Sequence, residues 1–597
     1  MTPNDKGQGT QNVNMNKGIE NDRQLILSAK KKGRLSIFKT YIKLSGPGWL
    51  QSGITLGGGS LSSSLYLGVL VGFSFLWLQP LAMILGVIML SAISYVTLST
   101  GQRPLRGINE HVSPVLGWGW LIASMMANLV WSLPQFALGT AAIRQNLLPG
   151  LLGPGVMNEI PGKMIAGGIF LVIALSATLT YSAGGKGVKI FEILIKSIVS
   201  IIVLSFIGVV VKLSIEGKIN WGEIGGGLIP DLRLFVQPTG KIMPHIQKVA
   251  EQFQPFWSNM IVGQQRDVMI SAAATAVGIN MTFLLPYSML RKGWDKDFRG
   301  LAIFDLSTGL FIPFILATGC VVIASASQFH AQPAAGFVAD VEGGEITKKP
   351  ADNLIKPWNN LMTSRLNAEV GKVEFERMMG DVLKLPEGTQ EEQRYKEKME
   401  MERFQDIMSY ADKNMAAILV KRDAFNLAET LAPLTGPVFA QYLFGLGVIG
   451  MALSAATMLM TINGLCFCEL LNLPAKGWPQ RIGSLMVAVG AAGPFFWKDA
   501  APYLSVPTSI FAMVLLPIAY FAFFFLMNQV SYLGKNIPKG GSRVVWNFLM
   551  ALASGAAAFG SVWSLWSKLQ WKGIGLLAGF IAVCVIVHFA KKKPKTA

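Results

Sequence analysis

The stretch Gly46-Pro47-Gly48-Trp49-Leu50-Gln51-Ser52-Gly53-Ile54-Thr55-Leu56-Gly57-Gly58-Gly59-Ser60-Leu61-Ser62-Ser63-Ser64-Leu65-Tyr66-Leu67-Gly68 decides the fold. It is apolar enough to enter a bilayer, yet Gly57-Gly58-Gly59-Ser60 interrupts it near the middle. Glycine costs a helix about 1 kcal/mol per residue relative to alanine, so three in a row predict a helix that breaks. At membrane depth, broken backbone is tolerated only where protein buries it or where it lines a polar cavity. In transporters such breaks hold the substrate near the midplane. A small-residue face for close helix packing is the alternative. The flanking hydroxyls exceed what packing needs, which favours a binding site at Thr55, Gly57, Gly58, Gly59 and Ser60.

Working outward, the whole chain is membrane-like. Of its 597 residues 51% are hydrophobic and 14% charged, against about 25% charged in soluble domains. The fold class is therefore an all-α integral membrane protein. A net charge of +18 would suggest nucleic acid in a soluble chain. Here the basic residues sit at the ends of apolar runs, the pattern that sets membrane orientation, so the expected partners are the lipid bilayer and a small solute or ion. Cys320, Cys466, Cys468 and Cys584 all fall in apolar segments, and neither a disulfide nor a cofactor is expected.

Runs long enough to span fall at roughly 46–68, 72–98, 116–146, 164–182, 189–214, 266–290, 299–326, 435–471, 482–498, 504–528, 543–565 and 572–590. They give about twelve helices. Residues 1–40 read as a disordered basic tail, 41–326 as helices one to seven, 327–434 as a charged helical insertion, 435–590 as helices eight to twelve, and 591–597 as a second basic tail. Arg103, Arg106, Arg291, Lys292, Lys476, Arg481, Lys535 and Lys591 all land on one side, whereas the opposite turns are nearly bare apart from Lys568 and Lys572. The positive-inside rule then places both termini in the cytoplasm, the insertion outside, and the protein in a cell (inner) membrane.

Ionisable residues within spans are functional candidates by default. Glu192 and Lys196, four apart, suit a structural pair. Asp305 and Glu469 lie near the cytoplasmic ends of their spans and suit an inner gate. Asn128 and Gln135 in the third span either line a cavity or bond to neighbouring helices. In the sixth span, Gly278 and Pro286 bracket Asn280, Met281 and Thr282, which predicts a second break. Two interrupted spans at corresponding places in two five-helix halves are the best sequence pointer to a transport site; a packed proline kink is the alternative.

With both breaks in view, the chain resembles the Nramp family of proton-coupled divalent metal transporters over roughly residues 40–325 and 430–530. Gly46-Pro47-Gly48 and Gly72-Phe73-Ser74-Phe75-Leu76-Trp77 carry the likeness most strongly, followed by Gly139-Thr140-Ala141, Asp305, Leu443-Phe444-Gly445-Leu446-Gly447 with Ser454, and Pro517. The resemblance implies two inverted five-helix repeats with one or two further helices. The departures fall on the chemistry. Where the family has an Asp-Pro-Gly-Asn metal motif, this chain has Gly57-Gly58-Gly59-Ser60. Where the family has Met-Pro-His, this chain has Asn280-Met281-Thr282, and a one-residue slip restores Met281. A literal Met243-Pro244-His245 lies in the connection before the span. The third-helix acids of the family fall near Leu133 and Phe136, or on Gln135 with a slip, and a tenth-helix glutamine falls on Leu515.

A dehydrated divalent ion needs anionic or dense oxygen ligands, and soft transition metals favour sulfur. Three readings stay open: a metal-ion transporter with altered selectivity and weak or absent proton coupling; a carrier of a small organic solute held through its carboxylate; and a non-transporting scaffold or sensor. No catalytic constellation is present, so an enzyme is not expected.

Overall fold

The computed structural model describes residues 3–153, 156–182, 186–386, 389–422, 426, 442, 444–496 and 504–590. The second basic tail, Leu443 and the start of the eighth span lie outside the described residues, as do the side chains of Glu192 and Lys196.

The chain is an all-α, membrane-spanning bundle. In order come α1 (Pro3–Lys32), α2 (Arg34–Leu44), α3 (Pro47–Thr55), α4 (Gly58–Val71), α5 (Leu78–Thr100) and α6 (Pro114–Ala142). They are followed by α7 (Glu159–Ser182), α8 (Lys186–Ile215), α9 (Gln254–Ala274), α10 (Ile279–Arg291), α11 (Arg299–Asp305) and α12 (Ile312–Phe329), the last two joined by a π turn. The insertion contributes α13 (Asp352–Leu383), α14 (Gln390–Ile407) and α15 (Tyr410–Leu419). Last are α16 (Phe444–Leu470), α17 (Trp478–Leu485), α18 (Ser505–Met527) and α19 (Gly540–Ala590).

Among the described residues, eight helices are long and apolar enough to cross a membrane, or nine when the bent pair α3–α4 counts as one span. Some of the difference from twelve is geometric. Straight, the 51 residues of α19 would run about 75 Å, more than twice a hydrocarbon core. Instead α19 is broken at Gln570 (φ 49°, ψ −132°). The expected ninth span is divided among α17, a 3₁₀ turn at Met486–Ala492 and a single helical turn.

Both predicted interruptions are real. Between α3 and α4 the axis bends by 57° across Leu56 and Gly57. The second break lies at Thr275–Gly278, slightly earlier than the bracket Gly278–Pro286 suggested, because Gly278 caps α10 and α10 continues through Pro286. The sixth span also starts earlier than its apolar run: α9 begins at Gln254, and 89% of the span's most apolar window is buried, against 33–72% for the other spans outside α19. Solvent-like residues at its head are covered by the insertion, so hydropathy alone truncated it.

The N-terminal tail differs from expectation. It is helical rather than disordered, and Ile26 and Ala29, one turn apart, are buried. Arg23 pairs with Asp295, and more loosely with Asp297 at 3.6 Å, in the turn between α10 and α11. This apolar pair plus a charge clamp gives the segment a docking face that average composition concealed. The N-terminus therefore shares one face of the bundle with that basic turn. The insertion covers the other face, where the head of α9 lies. Lys568, one of the two exceptions to the charge pattern, is neutralised by Asp267 at 2.6 Å.

Candidate functional site

The first break is built by Gly57. Its backbone is extended (φ −83°, ψ 178°), and it caps α4. The Leu56 N–H closes onto the Ser52 carbonyl at 2.8 Å and the Gly57 N–H onto Ile54 at 3.1 Å, while the Ser60 hydroxyl donates to the freed Thr55 carbonyl. A Cβ at Gly57 would stand 2.7 Å from Ala455 Cβ, so only glycine lets α16 approach this closely. At the head of α4, the Gly58 N–H donates to Gln135 Oε1 at 2.9 Å. A helix N-terminus leaves such donors unmet, and α6 supplies the acceptor.

The second break meets the first at Met281. The Thr55 hydroxyl lies 3.3 Å from Met281 Sδ and 3.5 Å from the Ala276 carbonyl. The Gly278 N–H lies 3.4 Å from the same sulfur, and Asn280 Oδ1 accepts the Met281 N–H at 2.9 Å. Gln51 Nε2 reaches the Met281 carbonyl at 3.5 Å. Thr282 faces α6, where its hydroxyl accepts from Trp120 Nε1 at 2.8 Å. Ser63 and Ser271, 2.7 Å apart, join the far halves of the two broken spans.

Between the breaks lies a small cavity with room for about one water. Gly57, Gly59, Ser60, Gln135 and Thr275 line it, together with Trp131, Ala455, Leu459, Thr508 and Ser509. The lining carries no charge. Gly58 adjoins the cavity through Gln135, whereas Gly278, Asn280, Met281 and Thr282 sit behind Thr275 and are not part of the lining. Sequence reasoning missed Trp131, Thr275, Ala455, Leu459, Thr508 and Ser509. Only the hydroxyl pair Thr508-Ser509, just after Pro507 at the head of an apolar span, offered a local signal.

Four fully buried amide atoms, Gln51 Oε1 and Asn280 Nδ2 at the crossing and both amide atoms of Asn128 on α6, have no partner among the described residues. An unmet buried polar atom costs about 1–3 kcal/mol, so this neighbourhood is suited to a polar guest or ordered water.

The gate candidates lie on the N-terminal face. Asp305 is buried and caps α3: Ser45 Oγ donates to it, as do the N–H groups of Gly46 at 3.0 Å and Gly48 at 2.5 Å. A carboxylate is favoured at a helix N-terminus, and a Cβ on Gly48 would lie 2.2 Å from the Asp305 carbonyl oxygen. Glu469 pairs with Arg103 at 2.6 Å. Neither acid reaches the cavity. The literal Met243-Pro244-His245 forms a short helix on the insertion face, where His245 Nδ1 lies 3.2 Å from Asn414 Nδ2. Burial, with help from Lys248, holds this imidazole below its ordinary pKa. Among the described residues, no group of three or more His, Cys, Asp or Glu side chains is placed to hold a metal ion.

The model of the family described as natural resistance-associated macrophage protein-like (Nramp) matches residues 48–345 and 407–567. Among solved structures, the Eremococcus coleocola manganese transporter in complex with an aromatic bis-isothiourea substituted compound aligns with a TM-score of 0.59 at 12% identity, over 93% of this chain and 95% of that one. A variant of that transporter with a histidine replaced by alanine aligns with a TM-score of 0.58 at 12% identity, over 92% and 95%. At such identity the likeness speaks for the fold alone. No curated protein matches the sequence.

Proposed function

The chain belongs to the Nramp family, and from that premise we propose how this membrane transporter handles its cargo. It is a secondary transporter and not an enzyme. Its cargo, a metal ion or small solute, is bound between the two breaks, in the cavity lined by Gly57, Gly59 and Ser60 and adjoined by Gly58, with Thr55 and Met281 meeting outside the lining where the breaks cross. The bundle is read as two inverted five-helix repeats followed by two helices, twelve spans in all. Both termini lie in the cytoplasm and the 327–434 insertion outside, because the basic turns gather on the N-terminal face.

The observation that carries the cargo reading is the absence of charge from the cavity lining. Around it stand hydroxyls, neutral amides, backbone carbonyls and one thioether. A dehydrated transition metal at this depth would lack a compensating anion. A hard divalent ion such as magnesium gives up its water reluctantly and needs few protein ligands, so an uncharged site suits it better than manganese or iron once the cavity, which here has room for about one water, widens to admit part of its water shell. The family's third-helix acids fall near Leu133 and Phe136, or on Gln135 with a one-residue slip, and none of the three is an acid, which supports weak or absent proton coupling. A second reading has its own support: α4, fourteen residues long, opens its N-terminus on the cavity, and such a terminus attracts a carboxylate.

The experiment is uptake into liposomes carrying the purified protein, with magnesium, manganese and a labelled amino-acid mixture compared side by side. Magnesium flux above protein-free liposomes, exceeding manganese flux and insensitive to a proton gradient, is the expected result. Amino-acid flux without ion flux would favour the carboxylate reading. No flux of any of the three would overturn both.

A further inference from the structure

The insertion is tied to the head of α9 through a buried carboxylate. Asp412 on α15 is 3% exposed and accepts four donors. Three come from the insertion itself: Arg365 Nε at 2.8 Å, Arg365 Nη2 at 3.2 Å and Ser409 Oγ at 2.8 Å. The fourth is the indole Nε1 of Trp257 at 2.8 Å, from the head of α9. Arg365, itself 1% exposed, lies 3.4 Å above the ring of Phe253, just before α9 begins.

The far end of α9 runs into the second break at Thr275, which lines the cavity. From Trp257 to Thr275 is about 27 Å of helix. Along that length α9 is joined to α4 by the Ser63–Ser271 pair and by Tyr66 Oη donating to Gln264 Oε1 at 2.8 Å. The insertion thus grips the distal end of the lever whose near end closes the cavity.

We infer that Trp257 and Asp412 form a latch through which the insertion holds the cavity shut toward its own face, with both acting as positioning residues for the transport cycle. The distribution of donors suits a latch. Breaking a buried ion pair leaves an uncompensated charge and is strongly unfavourable. Releasing Trp257 avoids this, because Asp412 keeps Arg365 and Ser409, and the step gives up a single hydrogen bond to a charged acceptor. The inference rests on the transporter reading only in taking the cavity to open toward the insertion face.

The test needs no cargo. A Thr275→Cys reporter is placed in a chain whose four native cysteines are replaced by alanine. In sealed vesicles it is labelled with a membrane-impermeant maleimide added on the insertion side. Trp257→Phe keeps the ring and removes only the donor. It is expected to speed labelling about tenfold or more, the scale of one hydrogen bond to a charged group, with the thermal midpoint lowered by no more than the roughly 1–2 °C that such a bond is worth in a chain of this size. Arg365→Met combined with Asp412→Leu removes the acceptor without leaving a buried charge, since Glu369, which pairs with Arg365 Nη1 at 2.9 Å, is 38% exposed to solvent, and should speed labelling likewise if Trp257→Phe folds poorly. Unchanged labelling in both variants would overturn the latch, as would faster labelling only in variants whose thermal midpoint falls well beyond that. Failure here leaves the uptake experiment untouched, and failed uptake leaves this one standing.

Discussion

Restoring a carboxylate to the first break tests the register of the site. The perturbation is Gly57→Asp. Its Cβ would meet Ala455 Cβ at 2.7 Å, the Ile54 carbonyl at 3.1 Å and Gln135 Oε1 at 3.3 Å. Overpacking of this kind costs about 1–3 kcal/mol. A buried carboxylate with two oxygen acceptors beside it and no cation adds a further several kcal/mol. The single variant should therefore melt well below wild type. Pairing it with Ala455→Gly removes the collision and leaves the electrostatic penalty, which a divalent ion relieves. At one hundred times its Kd, an ion binding only the folded state returns about 2.7 kcal/mol, or roughly 2 °C in a chain of this size. The assay is thermal unfolding in detergent across a manganese and magnesium series, with calorimetric titration of the paired variant. A paired variant that ignores both ions, or a single variant that melts at or above the wild-type midpoint, would refute the placement of Gly57 at the cargo.

Three other outcomes follow from the same geometry. A Cβ at Gly59 meets only Thr275 Cγ2 at 3.8 Å, so Gly59→Ala should raise stability by about 0.5–1 kcal/mol while filling a cavity with room for about one water; thermal melts and flux should move in opposite directions. Gln135→Leu removes the acceptor of the Gly58 N–H and should cost about 1–3 kcal/mol, whereas Gln135→Glu keeps it and, at low pH where its carboxyl is neutral and carries no buried-charge penalty, should melt closer to wild type; equal midpoints for the two at that pH would contradict the role assigned to this bond. His330, whose Nδ1 lies 3.1 Å from the Val69 carbonyl, is pushed by burial from 6.5 down to about 4. A lowered imidazole pKa means that the unfolded chain takes up the proton first, so stability is lost as pH falls from about 6.5 and the loss is complete near pH 4. Melting curves from pH 7.5 to 4.5 should be flatter for His330→Asn, and parallel curves would refute the assignment.

Much of the architecture was legible because its determinants are local. Three consecutive glycines cannot hold a helix, and Gly278 beside Asn280 marks a second weak point, so both breaks could be read within a few residues. Lysine and arginine at the ends of apolar runs ordered the spans. The site itself was less legible, since its walls come from segments far apart in the chain. Nothing near Ala455 signals that its methyl abuts Gly57, and Trp131 reads as a packing residue until α6 is laid against the cavity. Met281 illustrates the difficulty: a one-residue ambiguity in register separated a ligand-like sulfur from a spectator, and the contact of Thr55 with its Sδ shows that it stands where the two breaks meet. The docked N-terminal helix and the early start of α9 were hidden for the same reason, because their polar residues are satisfied by distant partners such as Asp295 and Asp412.

The most direct test of the central claim, that cargo is held in an uncharged cavity between the two breaks, is magnesium and manganese flux through wild type and Gly59→Ala in one liposome preparation. Wild type is predicted to carry magnesium in preference to manganese, and Gly59→Ala to carry neither while melting at or above the wild-type midpoint. Undiminished flux through a stable Gly59→Ala protein would show that the cargo passes elsewhere, and preference for manganese would contradict the chemistry assigned to the cavity.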